Sequence, residues 1–114
     1  MLSWGGRERR EVERCRVDIP CKLVISGNIW TGATRDISLR GAFFDPGCEN
    51  PIPKSYIFQN ALFELLLPQQ LLKTDCEIVR VVSGSIGLRF LGFHHEQGKN
   101  RLVDFLETQL SRVV

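Results

Sequence analysis

Two short clusters hold the side chains best suited to gripping an anion. The first is Glu8-Arg9-Arg10-Glu11-Val12-Glu13-Arg14, in which Arg10 and Arg14 stand four apart. A guanidinium group offers five N–H donors in a flat fork and suits phosphate or carboxylate oxygens. The second is Asp36-Ile37-Ser38-Leu39-Arg40-Gly41. Its carboxylate can only accept hydrogen bonds, its hydroxyl can donate or accept, and its glycine lets another group approach the backbone. Each cluster also has an ordinary reading. Arg10 and Arg14 could pair with Glu8, Glu11 and Glu13 on a solvated terminus, and such exposed pairs are weak. Asp36, Ser38 and Gly41 could simply stabilise a hairpin turn.

The charge distribution favours the anion reading. The chain of 114 residues has a net charge of only +2, too little for a strongly basic nucleic-acid binder. Residues 1–40 nevertheless hold eight Lys or Arg against five Asp or Glu, whereas residues 41–114 hold seven against eight. The excess sits at Arg7, Arg9, Arg10, Arg14 and Arg16. Only one aromatic, Trp4, accompanies it, and a groove for single-stranded nucleic acid would need more stacking partners.

The elements that position the clusters follow from hydrophobic periodicity. Residues 1–14 are polar, contain Gly5 and Gly6, and read as a flexible N-terminal arm. From residue 15 a β-rich domain begins. Val17, Ile19, Cys21, Leu23 and Ile25 alternate with mostly polar neighbours, which predicts a half-buried strand. Pro20 suggests an edge strand or a bulge, and Ser26-Gly27-Asn28 a turn. Further strands are expected over 29–37, 42–44, 61–67, 76–82 and 86–93, with turns at Ser38–Gly41 and Ser83-Gly84-Ser85 and a proline-rich loop over 45–55. Leu102, Val103, Phe105, Leu106, Leu110 and Val113 recur at steps of three and four, which predicts an amphipathic helix over about 97–113. Five or six antiparallel strands and one helix fit one all-β domain over 15–114: a small barrel capped by the helix, closed so that no long sheet edge is left open.

The two clusters, in this order on either side of one predicted strand, resemble the PilZ family. Arg9-Arg10 followed by Arg14 is similar to that family's arginine motif. Asp36-x-Ser38-x-x-Gly41 is similar to its second motif, and Gly87-Leu88-Arg89-Phe90 is similar to the Gly-apolar-x-Phe stretch of its last strand. The resemblance runs from about Arg7 to the end of the chain. It implies a six-stranded antiparallel β-barrel with one C-terminal helix and a bacterial receptor for cyclic di-GMP. It also implies ligand contacts from Arg10, Arg14, Asp36, Ser38 and Gly41. Arg9, just before the paired arginines, resembles the members that bind a stacked dimer of the ligand. Arg35, Arg40 and Gly87 are additional candidates.

That ligand suits these residues. Guanidinium groups can fork onto phosphate or guanine O6 and N7, or stack on the base, at roughly 1.5–3 kcal/mol per charge-assisted bond. Asp36 can accept from the Watson–Crick edge of guanine, with Ile37 turned into the core and Ser38 toward the ligand. Arginines on a loose arm would order on binding, giving a switch for a partner protein to read. The resemblance places such a partner in motility, pilus, biofilm or polysaccharide control. The competing reading is a PilZ-like adaptor for pilus or motility machinery that works by protein contact without nucleotide.

Other chemistry is not expected. No nucleophile–base pair, carboxylate pair or metal set is discernible, so the chain reads as neither an enzyme nor a metal or cofactor protein. His94-His95-Glu96 lacks a third ligand and reads as the turn into the helix. Cys15, Cys21, Cys48 and Cys76 form no Cys-x-x-Cys pair and read as core thiols. Trp30 is expected to pack on the barrel. With no apolar leader and no segment of about 18 apolar residues, a cytoplasmic protein without membrane insertion is expected.

Overall fold

The computed structural model describes residues 17–47, 51–68 and 70–113, with side chains as far as Gln109 in the last element. Six strands, β1 (Pro20–Ile25), β2 (Asn28–Ile37), β3 (Gly41–Asp45), β4 (Asn60–Leu67), β5 (Gln70–Val82) and β6 (Ser85–Phe93), are followed by one helix, α1 (Gly98–Val113). All neighbouring strands are antiparallel, and the sheet closes in the order β1-β2-β3-β6-β5-β4. The sequence-based expectation of a six-stranded antiparallel barrel with a C-terminal helix holds. Among the described residues, no helix is long and apolar enough to cross a membrane.

Turn chemistry sets the hairpins. Ser26 and Gly27 have φ of 50° and 85°, and Ser83 and Gly84 repeat those values. Positive φ at both central residues marks the two-residue turn whose twist matches its strands, and glycine at the second position lowers its cost. Pro20 sits neither on a free edge nor at a bulge. It is the first residue of β1, where its missing N–H is tolerated.

Inward side chains fill the barrel. Leu23, Ile25, Ile37, Phe44, Phe63, Leu65, Leu72, Ile78 and Ile86 are fully buried. Phe44, Phe63, Phe90 and Phe93 form a line from the buried core to its partly exposed margin, with successive ring centroids 5.9, 6.1 and 5.8 Å apart. Trp30 is buried as expected and meets Tyr56 edge to face at 5.8 Å. Its indole Nε1 has no hydrogen-bond partner among the described residues. Leu102 and Leu106 of α1 join the same core. The helix packs by the Leu67–Gln70 turn of β4 and β5, and Gly98 lies against Phe93. The far end of the β5–β6 hairpin, at Val82–Ser85, is left uncovered by it.

β5 is longer than expected, because the sequence pattern predicted a strand only from Cys76. Leu71 faces outward beside the inward Leu72, and the inward Thr74 is polar. The doublet and the buried hydroxyl erase the alternation. Thr74 is satisfied nonetheless, since its Oγ1 donates to the Gly92 carbonyl at 2.9 Å.

Cys21 and Cys76 are buried free thiols, as expected; Cys15 and Cys48 lie outside the described residues. Burial pushes both thiols from 9.0 up to about 12, with the Asp75 charge adding to the effect at Cys76. A raised native pKa means that the unfolded chain loses its thiol protons first. Stability from these groups is complete below pH 9.0 and declines from there toward about pH 12. We expect the urea midpoint to fall across that window, each thiol contributing up to about 1.4 kcal/mol per pH unit. A Cys21→Ala/Cys76→Ala variant should show a shallower fall, and an identical pH profile would refute the assignment.

Candidate functional site

The second motif begins with an irregularity that its letters do not show. In β2 the inward residues are Trp30, Thr34 and Ile37, so the alternation shifts by one after Thr34. The shift is a β-bulge: Thr34 pairs with Phe44 and Asp36 with Phe43, which leaves Arg35 as the extra residue. Arg35 and Asp36 consequently both face outward. Without the bulge one of them would enter the core, where an unpaired charge is costly. Ile37 fills the core, as the sequence pattern predicted.

Asp36 starts a row that crosses four strands. It lies opposite Phe43 of β3, Phe43 opposite Gly87 of β6, and Gly87 opposite Arg80 of β5. A second bulge, between Ile78 and Arg80, turns Arg80 outward. Gly87 is the floor of the row. A Cβ there would lie 3.1 Å from the Arg80 Cβ and 3.4 Å from Phe43 Cε1. The row opens into a cleft of about 540 Å³, whose other walls are Val17, Asp18, Arg35 and the Val82–Ser85 end of the β5–β6 hairpin. Arg35 Nη1 donates to Ser85 Oγ at 3.1 Å, which steadies the guanidinium at the cleft wall.

The structure distributes the expected residues unevenly. Asp36 and Arg35 line the cleft, and Gly87 underlies it. Ser38 is 2% exposed, and its Oγ accepts the Arg40 N–H at 3.2 Å within the turn. Its backbone N–H donates to the Gly41 carbonyl at 2.8 Å, and the Arg40 carbonyl accepts the Phe90 N–H at 2.8 Å. The turn is thus bound on itself and to β6. Arg40 projects into solvent outside the cleft. Gly41 does not adopt the positive φ that a turn glycine suggests. It is needed for close approach instead, because a Cβ there would overlap the Leu88 carbonyl oxygen. Arg9, Arg10 and Arg14, the whole 1–14 arm and Trp4 lie outside the described residues.

Sequence reasoning expected only Arg35 and Asp36 among the cleft's lining residues; Asp18, Phe43 and Arg80 are the most consequential of those it missed. Arg80 gives no local signal, since it reaches Asp36 only through the strand order. A shift in the alternation of Ile78-Val79-Arg80-Val81 was the available hint. The formal charges of the described cleft balance, with Asp18 and Asp36 against Arg35 and Arg80. Two residues beyond Gly87, Arg89 pairs across the strands with Glu77, Nε to Oε1 at 3.2 Å. His94 Nε2 lies 2.9 Å from Asp75 Oδ1, and no group of three or more His, Cys, Asp or Glu side chains suited to a metal occurs among the described residues.

Known proteins match this architecture. A family model described as PilZ domain matches residues 8–108, and the chain belongs to that family. PilZ domains are non-catalytic receptor domains. No curated protein matches the chain. Among solved structures, the Bacillus subtilis inhibitor of motility (MotI/DgrA) aligns with a TM-score of 0.72 at 10% identity, over 87% of this chain and 50% of its own. The chain thus spans half the length of that protein. The PilZ domain of YcgR from Escherichia coli, solved with c-di-GMP, aligns at 0.70 and 15% identity, over 92% and 94% of the two chains. The PilZ domain of CeSA from a cellulose synthesizing bacterium aligns at 0.66 and 22% identity, over 83% and 98%. These likenesses are likenesses of fold.

The packing at Gly41 gives a prediction independent of any ligand. Gly41→Ala forces β3 and β6 apart and should lower stability in buffer alone by more than about 2 kcal/mol, read as a lower urea midpoint. A midpoint equal to that of the native chain would show that the strands relax freely there.

Proposed function

We propose that this PilZ domain is a cyclic di-GMP receptor whose binding surface is the cleft edged by Arg35, Asp36, Phe43 and Arg80. In this reading Arg10 and Arg14 close the cleft from the N-terminal side. The observation that carries it is the row Asp36–Phe43–Gly87–Arg80 opening beside Val17 and Asp18. It puts an acceptor for guanine N–H groups, an aromatic face and two guanidinium groups on one surface. Covalent reach allows the arginines to join them. Arg14 precedes Val17 by three residues, so its Cα lies within about 11 Å of Val17 at full extension.

Charge balance supports a role for the arm. The ligand carries two phosphates, and the described cleft has no net positive charge to meet them. Arg10 and Arg14 would supply that excess, and Arg9 would favour a second, stacked ligand. Ser38 and Gly41 serve by fixing the turn that follows Asp36. Ligand that draws the arm onto the barrel converts binding into a change of shape that a partner protein reads. The fold neighbours, an inhibitor of motility and a domain of CeSA from a cellulose synthesizing bacterium, favour a partner in motility or in polysaccharide synthesis.

Titration of the full chain with cyclic di-GMP tests the reading. Arg10→Ala, Arg14→Ala, Asp36→Ala and Arg80→Ala should each weaken binding by about 10- to 150-fold, the equivalent of about 1.5–3 kcal/mol. No binding by the native chain defeats the receptor reading; native binding that the variants share defeats the site. A calorimetric stoichiometry near one would argue against the stacked dimer. Amide exchange of residues 1–14 should slow on ligand addition, and equal exchange in both states would remove the switch.

A further inference from the structure

Thr34 is 1% exposed, yet it is the polar residue at the centre of an otherwise apolar stretch of wall. Its hydroxyl is used twice. Oγ1 donates to the Val17 carbonyl at 2.6 Å and accepts the Ile19 N–H at 3.0 Å. The Thr34 backbone N–H adds a third link, to the Ile19 carbonyl at 3.0 Å. These bonds lie at the N-terminal end of the β1–β2 ladder, immediately before its first pair, Pro20 with Ala33. Beyond it, the hydroxyl provides both a donor and an acceptor, and so holds the chain to β2 for three more residues.

The location of this link matters more than its strength. Val17 and Asp18 form one wall of the cleft; Arg35 and Asp36 form the facing part. Thr34 is bonded on both sides of Asp18 and is the residue immediately before the bulge that turns Arg35 and Asp36 outward. One side chain therefore fixes the two walls against each other. The hydroxyl is what does this. Valine would keep the shape but leave the Ile19 N–H without its partner, whereas serine would keep the bonds.

We propose that Thr34 is a positioning residue: its hydroxyl pins residues 17–19 to the β2 bulge and so sets the point from which the preceding arginines reach the cleft. The effect on ligand affinity rests on the receptor reading above; the pin does not. Thr34→Val and Thr34→Ser in the full chain separate the two. By amide exchange, the native Ile19 N–H should be protected like the β1 amide of Leu23. Thr34→Val should speed Ile19 exchange by about tenfold or more while Leu23, Ile25 and Leu72 stay near native rates, and Thr34→Ser should restore Ile19. Cyclic di-GMP affinity should fall about tenfold in Thr34→Val and return in Thr34→Ser. An unprotected Ile19 in the native chain overturns the pin even if Thr34→Val fails to fold. Loss of protection spread evenly through the barrel also overturns it, by making the hydroxyl a general stabiliser. Native-like affinity in Thr34→Val overturns its influence on the arginines. A native chain that binds no cyclic di-GMP defeats the receptor reading alone, and exchange at Ile19 then decides the pin.

Discussion

Closing six short strands into a barrel imposes one constraint on every residue in them. There is a single interior, and each side chain is either in it or outside. The interior here is filled by aliphatic side chains with Phe44 and Phe63, so its inward positions have little tolerance for charge. Closure also decides which strands are neighbours. Joining β3 to β6 brings the second motif beside a hairpin that is remote in sequence. The buried hydroxyls of the wall have partners: Thr34 holds residues 17–19, Thr74 bonds across to β6, and Ser38 ties its own turn.

The bulges at Arg35 and before Arg80 reconcile this constraint with a charged outer surface. A regular strand with Thr34 and Ile37 both inward is impossible, because they are an odd number of residues apart. The extra residue at Arg35 corrects the parity and places two consecutive charged side chains on the same outer surface. The bulge before Arg80 does the same work on β5. Glycines then set how near the outer groups can come. Gly41 lets β3 lie close to β6, and Gly87 leaves room for Phe43 and Arg80 on either side. The second motif is therefore partly a structural device. Its aspartate faces the cleft, whereas its serine and glycine hold the turn and the strand contact.

The helix and the cleft occupy different ends of the β5–β6 hairpin. Helix α1 packs by the Leu67–Gln70 turn, and the cleft opens at Val82–Ser85. The residues that complete the core, Leu102 and Leu106 among them, are thus separate from those that line the cleft.

The sequence by itself determined the strands, the two Ser-Gly turns, the amphipathic helix and the motif that begins at Asp36. These depend on periodicity and on local turn chemistry, which are written in adjacent letters. It could not mark the first half of β5, where an outward leucine and a buried threonine hide the alternation. It suggested a left-handed glycine at Gly41, whereas the packing of β6 is what excludes a side chain there. Only the tertiary structure decided the cleft. Asp36, Phe43, Gly87 and Arg80 become one row because the barrel order sets β2, β3, β6 and β5 side by side, and because two bulges turn the charged members outward. Such a juxtaposition depends on closure and register over the whole sheet, so no stretch of the chain read alone contains it.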